Sequence, residues 1–171
     1  MISTTHVDLR LRAHERGIDT RVIHGTTAAA AAASLTGLQN YRFGKATTLP
    51  FPYGSMRIPE SVTETIDANR ERELHTLVFL DIKAERERDR FMTADVAAGQ
   101  LAEAYEDRHA VAVCRAGSPD PVVAADRLSA LADRAFGDPL HLLVIPGELH
   151  HVEGEALAEL AGAPEELLPD E

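Results

Sequence analysis

Tryptophan is absent and cysteine occurs once in this 171-residue chain, so no disulfide framework can hold it together. Its stability must come from a buried core, which a chain of this length can build. The single cysteine, Cys114, lies inside the apolar run HAVAVC and reads as a core residue. No apolar run reaches eighteen residues, which excludes a membrane-spanning helix, and no basic segment followed by an apolar one opens the chain, so the expected location is the cytoplasm. Lysine is nearly missing: Lys45 and Lys83 are the only two, and arginine supplies the rest of the 17 basic residues. With 28 acidic residues the net charge is −11, which opposes the basic field that broad nucleic-acid binding requires. The phosphate-cradling loops G-x-x-x-x-G-K-[ST] and G-x-G-x-x-G and the nucleophile elbow G-x-S-x-G are also absent. Nucleotide hydrolysis and serine hydrolase chemistry therefore lose their usual support.

Aromatic residues make up only 5% of the chain, yet two tyrosines and two phenylalanines fall in one stretch, LTGLQNYRFGKATTLPFPYG, residues 35–54. Gly37, Gly44, Pro50, Pro52 and Gly54 interrupt it, so no long element can run through. A helix end, a sharp turn and a short strand over 46–49 are expected there, with an ordinary loop over a core edge as the alternative. Upstream, residues 4–16 read as a helix closed by Gly17, and TRVIH at 20–24 as a strand. The alanine run after it reads as a thin helix. Downstream, Ser61 and Glu64 form an S-x-x-E capping pattern ahead of a helix over 65–73. TLVFLDI at 76–82, HAVAVC at 109–114 and HLLVI at 141–145 read as strands, and residues 93–107, 122–136 and 152–161 as helices. Short apolar strands alternating with helices indicate an α/β fold built from βαβ units. Such folds bind ligands beyond the carboxyl ends of their strands.

Side chains that could carry chemistry are few. His150, His151 and Glu153 could be offered as a metal cluster, but adjacent histidines on a helix diverge and a suitably spaced third ligand is lacking, so no metal is expected. Asp81 ends a strand beside Lys83 and reads either as a functional carboxylate or as part of a turn. RAGSPDP is a turn or a backbone cradle for a ligand, and His141 reads as a core histidine bonded to backbone.

The phrases TTHVDLRLRA, VIHGTT, LTGLQNYRFGK, TLPFPYG, LHTLVFLDIKAE, FMTA, RAGSPDPVV, FGDPLHLLVIPGELHHVE and LAGAP, in that order, closely resemble the archaeal diphthine synthase family of the tetrapyrrole-methylase-like superfamily. The resemblance implies a two-domain α/β fold with a cofactor cleft between the domains, and generally a homodimer. It implies N-methylation, from S-adenosylmethionine, of a modified histidine on translation elongation factor 2. Carried across position by position, it puts cofactor contacts at Ile2, Thr27, Ala28, Leu80, Ala116 and His141, and names no catalytic side chain. In the family the match to Met1 follows a run of strands and helices. The expectation is therefore an N-terminally shortened chain with most of the first domain missing, 1–44 a remnant of that cofactor-binding domain and 45–171 the second α/β domain. The rival readings are a non-catalytic remnant that docks on elongation factor 2 and a superfamily enzyme that methylates a tetrapyrrole.

Overall fold

The structure, a computed structural model, describes residues 4–54, 58–83, 89–105 and 108–169. Helix α1 (Thr4–Glu15) buries none of its residues and ends at Gly17, whose φ of 66° closes it. TRVIH, read above as a strand, forms no regular element and pairs with no strand among the described residues, and Ile23 is 85% exposed. An apolar run can mark a strand but cannot supply the neighbour that completes one. Helix α2 (Ala28–Thr36) follows. Thr27 caps it, its Oγ1 accepting from Ala30 N at 3.3 Å, and Gly37 ends it at φ 74°.

Five strands form the main sheet: β1 (Thr47–Leu49), β2 (Thr76–Leu80), β5 (His109–Cys114), β6 (Val122–Arg127) and β7 (His141–Ile145), in the order β1-β2-β7-β5-β6. A separate two-stranded ribbon pairs β3 (Ile82–Lys83) with β4 (Arg90–Phe91). Only β1 and β2, joined through a helix, form a parallel βαβ unit, while the other three pairings of the main sheet are antiparallel, so the expectation of repeated βαβ units is corrected to a mixed sheet. The helix expected over 122–136 is corrected as well. Residues Val122–Arg127 pair with all of β5, from Cys114↔Val122 to His109↔Arg127, and only the short α5 (Leu128–Ala132) follows. The turn RAGSPDP folds the chain back on itself, so this apolar run meets a partner strand that helical spacing could not reveal.

Both sheet faces are covered, which is why the strands are apolar on both sides. Helices α3 (Glu60–Arg70), α4 (Ala94–Ala102) and α5 cover one face, where Val62, Ile66, Leu101 and Leu128 pack on Leu49, Val78, Leu143 and Ile145. Alanines on both partners, Ala97 and Ala98 against Ala110 and Ala112, belong to the same cluster. Helices α2 and α6 (His151–Ala161) cover the other, with Ala32, Leu157 and Ala161 against Leu77, Val111, Val113 and Val144. Burying a leucine or isoleucine fully contributes about 1.5–3 kcal/mol, and Leu49, Ile66, Leu143 and Ile145 are each at most 2% exposed. Helix α3 starts at Glu60 behind Pro59, so the S-x-x-E pattern at 61–64 lies inside the helix instead of capping it.

The aromatic-rich stretch is a joint between the two layers. After Gly37 come a 3-10 turn (Asn40–Arg42) and then β1. Asn69 of α3 clamps the entry to β1: its Oδ1 accepts from Lys45 N at 3.1 Å and its Nδ2 donates to Lys45 O at 2.8 Å. A Cβ on Gly44 would collide with that same Asn69 amide, so only glycine fits. Phe43 packs edge-on to the buried His75, with ring centroids 5.3 Å apart.

Candidate active site

The antiparallel registers bring the carboxyl ends of β1, β2 and β5 to the same end of the sheet as the starts of β6 and β7. A cavity of about 190 Å³ opens there. Phe79 and Leu80 at the end of β2, and His141 and Leu142 at the start of β7, form one wall. Ala116 just after β5, Leu140, and Ala28 at the first turn of α2 form another, while Ile82, Phe91 and Met92 close it from the ribbon side. Of the six residues expected at a cofactor, four line this one cavity: Ala28, Leu80, Ala116 and His141. Thr27 precedes Ala28 as the cap of α2 and is not part of the wall. Ile2 lies outside the described residues. Ile82, Phe91 and Met92 were not singled out from sequence, although DIK and FMTA, which contain Ile82, Phe91 and Met92, belong to the phrases that carried the resemblance.

Among the described residues His141 is the one ionisable side chain in the wall, and its ring is fully committed. Nδ1 accepts a hydrogen bond from Ala94 N at 3.0 Å, which puts the proton on Nε2, and Nε2 donates to Asp138 O at 2.8 Å. Burial lowers its pKa against the opposing hydrogen bond to Asp138, so the ring is held neutral. It can offer a ligand its backbone and ring edge but cannot serve as a base. Asp81 is likewise structural: its Oδ2 accepts from Phe51 N at 3.0 Å, and its backbone bridges Leu49 O and Met92 N. Cys114, fully buried, has its thiol pushed up to about 12, chiefly by desolvation, and is inert as a nucleophile. Arg115 takes φ 53° and donates through Nη1 to Phe136 O at 2.8 Å, and its N–H donates to Leu140 O at 2.7 Å. The RAGSPDP turn is thereby fastened to the segment that carries Leu140 and His141 into the cavity.

The histidine pair offered above as metal ligands has another use. His150 caps α6, its Nδ1 accepting from Val152 N at 3.4 Å, while Glu153 Oε2 accepts from His150 N at 2.9 Å, a reciprocal capping box. Because His150 stands outside the helix, its ring lies 4.0 Å from that of His151, contrary to the divergence expected of two helical neighbours. Glu153 is fully buried. Oε1 also accepts from Gln39 N at 2.8 Å and from His75 Nε2 at 2.9 Å, and Arg42 Nη1 approaches Oε2 at 3.3 Å. His75 Nδ1 accepts from Gly147 N at 3.0 Å. This network ties the joint to β2 and α6 at the opposite end of the sheet from the cavity.

A family described as Tetrapyrrole (Corrin/Porphyrin) Methylases matches residues 1–132. Diphthine synthase of Halorubrum lacusprofundi is 70% identical over 99% of this chain and 68% of its own length. The chain belongs to the diphthine synthases of that methylase family. The diphthine synthase of Natronomonas pharaonis is 67% identical over 99% of this chain and 67% of its own length. A solved structure, "Crystal structure of diphthine synthase", is 40% identical and superimposes with a TM-score of 0.87, covering 98% of this chain and 64% of that one. The chain thus spans about two thirds of the length of the diphthine synthases it matches.

Proposed function

We propose that this chain takes part in S-adenosylmethionine-dependent N-methylation of the amino group of the modified histidine on translation elongation factor 2, and that the cavity at Leu80, Ala116 and His141 is where the cofactor rests. The observation that carries the reading is the convergence of Ala28, Leu80, Ala116 and His141 on one cavity in a diphthine synthase sequence. The cofactor would supply the methyl group. Its sulfonium loses its charge as the methyl leaves, so a carboxylate beside it would favour the ground state over the transition state. Among the described residues the wall holds no carboxylate, and its apolar side chains with backbone groups at the strand ends suit an uncharged ring and a soft sulfur. Ligand sites for molecules of this size run to about 300–1,000 Å³, so a cavity of about 190 Å³ encloses part of the cofactor, with the remainder toward Thr27.

These residues act by placement. In-line transfer to an amine is accelerated chiefly by holding the reacting atoms together, and the rigid ends of β2, β5 and β7 supply that. With both nitrogens of His141 bonded, the described residues of the wall offer no base, so the amine enters neutral or releases its proton to water. The boundary at 44/45, where Asn69 clamps Lys45, belongs to the same reading, as do a cytoplasmic location and a homodimer. The apolar residues that α1 and its successor leave exposed, Leu9, Leu11, Ile18 and Ile23 among them, have the most to gain from cover by further protein. Incubation with labelled S-adenosylmethionine and elongation factor 2 carrying the unmethylated histidine intermediate tests the activity. Label on the factor supports the reading, and its absence from a folded chain that binds S-adenosylhomocysteine contradicts it.

A further inference from the structure

The β3–β4 ribbon forms one side of the cavity mouth, and its two faces differ in chemistry. Ile82 and Phe91, a registered pair, line the cavity while remaining 50% and 37% exposed. The next pair, Lys83 and Arg90, turns to the other face, because alternate residues of a strand do. There both cations converge on one aromatic ring: Lys83 Nζ lies 5.2 Å and Arg90 Cζ 4.9 Å from the centre of Phe51. Two like charges share a ring and neither reaches a carboxylate among the described residues, in a chain whose net charge is −11. Two residues past Phe51, Tyr53 is 86% exposed. Preorganised arginine with exposed aromatic and aliphatic neighbours is the composition of protein-binding hot spots. Stacking on Phe51 fixes both cations before any partner arrives.

We infer that Lys83, Arg90, Phe51 and Tyr53 form a dock for an acidic segment of the protein substrate, beside the residue whose amine enters the cavity. The inference rests on the methyltransferase reading. An amine carried on a folded protein reaches this cavity only if the surface around it meets the rim, and on this side the rim is the ribbon. Carboxylates on the partner would complete the two cations that the described residues leave together on Phe51, and the net negative charge of the chain would repel them elsewhere.

Binding of purified elongation factor 2 to the full chain at 0.15 M and 1 M potassium chloride, for wild type, Lys83→Glu with Arg90→Glu, and Arg70→Glu with Arg72→Glu, is the test. The last variant makes the same charge change at the far end of the sheet. The ribbon variant should bind about tenfold more weakly or worse at low salt and lose most of the salt dependence, while the far-end variant stays near wild type. Should the ribbon variant melt below wild type, Lys83→Gln with Arg90→Gln replaces it, with a smaller loss in the same order. Equal affinity of wild type and ribbon variant, equal losses in both variants, or no wild-type binding to the factor each overturns the dock. So does a fall in molar mass by light scattering for the ribbon variant, which would assign the patch to a second copy of this chain. Failure of the methyltransferase reading shows separately, as wild type that gives no heat with S-adenosylhomocysteine.

Discussion

Four donors from three parts of the chain converge on one carboxylate, Glu153: the backbone of Gln39 and His150 and the side chains of His75 and Arg42. Burial alone would raise its pKa, but the hydrogen bonds from His150, Gln39 and His75 outweigh it and hold the carboxyl below its ordinary value of 4.5. Removing it strands those donors in the interior, and Glu153→Ala should cost about 3–5 kcal/mol in chemical denaturation. The pH dependence has a definite sign. Burial lowers His75 and His141 below their ordinary 6.5, so unfolded chains take up protons first as pH falls. Stability should therefore be full above about pH 6.5 and decline below it, with a further loss below 4.5 from Glu153 that the alanine variant lacks. Of these residues His141 was legible, since a histidine opening an apolar strand needs backbone partners. Glu153 was not, because capping boxes ordinarily begin with serine or threonine and HHVE invites a metal reading. Among the described residues no cluster of three or more metal-ligating side chains is present.

At the level of elements, the joint at residues 35–54 was legible from its breakers and aromatics, and its helix end, turn and short strand fall where expected. What spacing could not reveal was which chain segments become neighbours. VVAADR joins the sheet because RAGSPDP returns it to β5, and TRVIH stays out because no strand of the described residues pairs with it. The apolar run TLVFLDI likewise divides at Asp81, whose carboxylate turns to Phe51 N and frees Ile82 and Lys83 to form the ribbon. Of the glycines in the joint, Gly44 leaves the least room for a Cβ, which would run into the Asn69 amide. Asn69 cannot yield without releasing Lys45 at both its N–H and its carbonyl, and also Thr76 Oγ1. Gly44→Ala should thus destabilise by about 1–3 kcal/mol, read as a lower thermal midpoint, and an unchanged midpoint would mean that the joint gives way freely.

For the molecule as a whole, the sheet separates two jobs by end. One end is locked by the Glu153 network, and the other gathers an apolar cavity, a helix start and a cationic ribbon. Strand-end reasoning holds at this end for β2 and β5, whose carboxyl ends lie there, but not for β7, which runs antiparallel and begins there. The antiparallel wiring that brings β5, β6 and β7 there was invisible to local pattern, since crossovers and hairpins leave similar apolar runs. Whether that end binds the cofactor is decided most directly by calorimetric titration of S-adenosylhomocysteine into the wild-type chain and into Ala116→Phe, whose added ring occupies the cavity. Wild type should bind at one site per chain and Ala116→Phe at least about tenfold more weakly. A folded wild type without heat at millimolar ligand, or equal affinity for the two proteins, would contradict it.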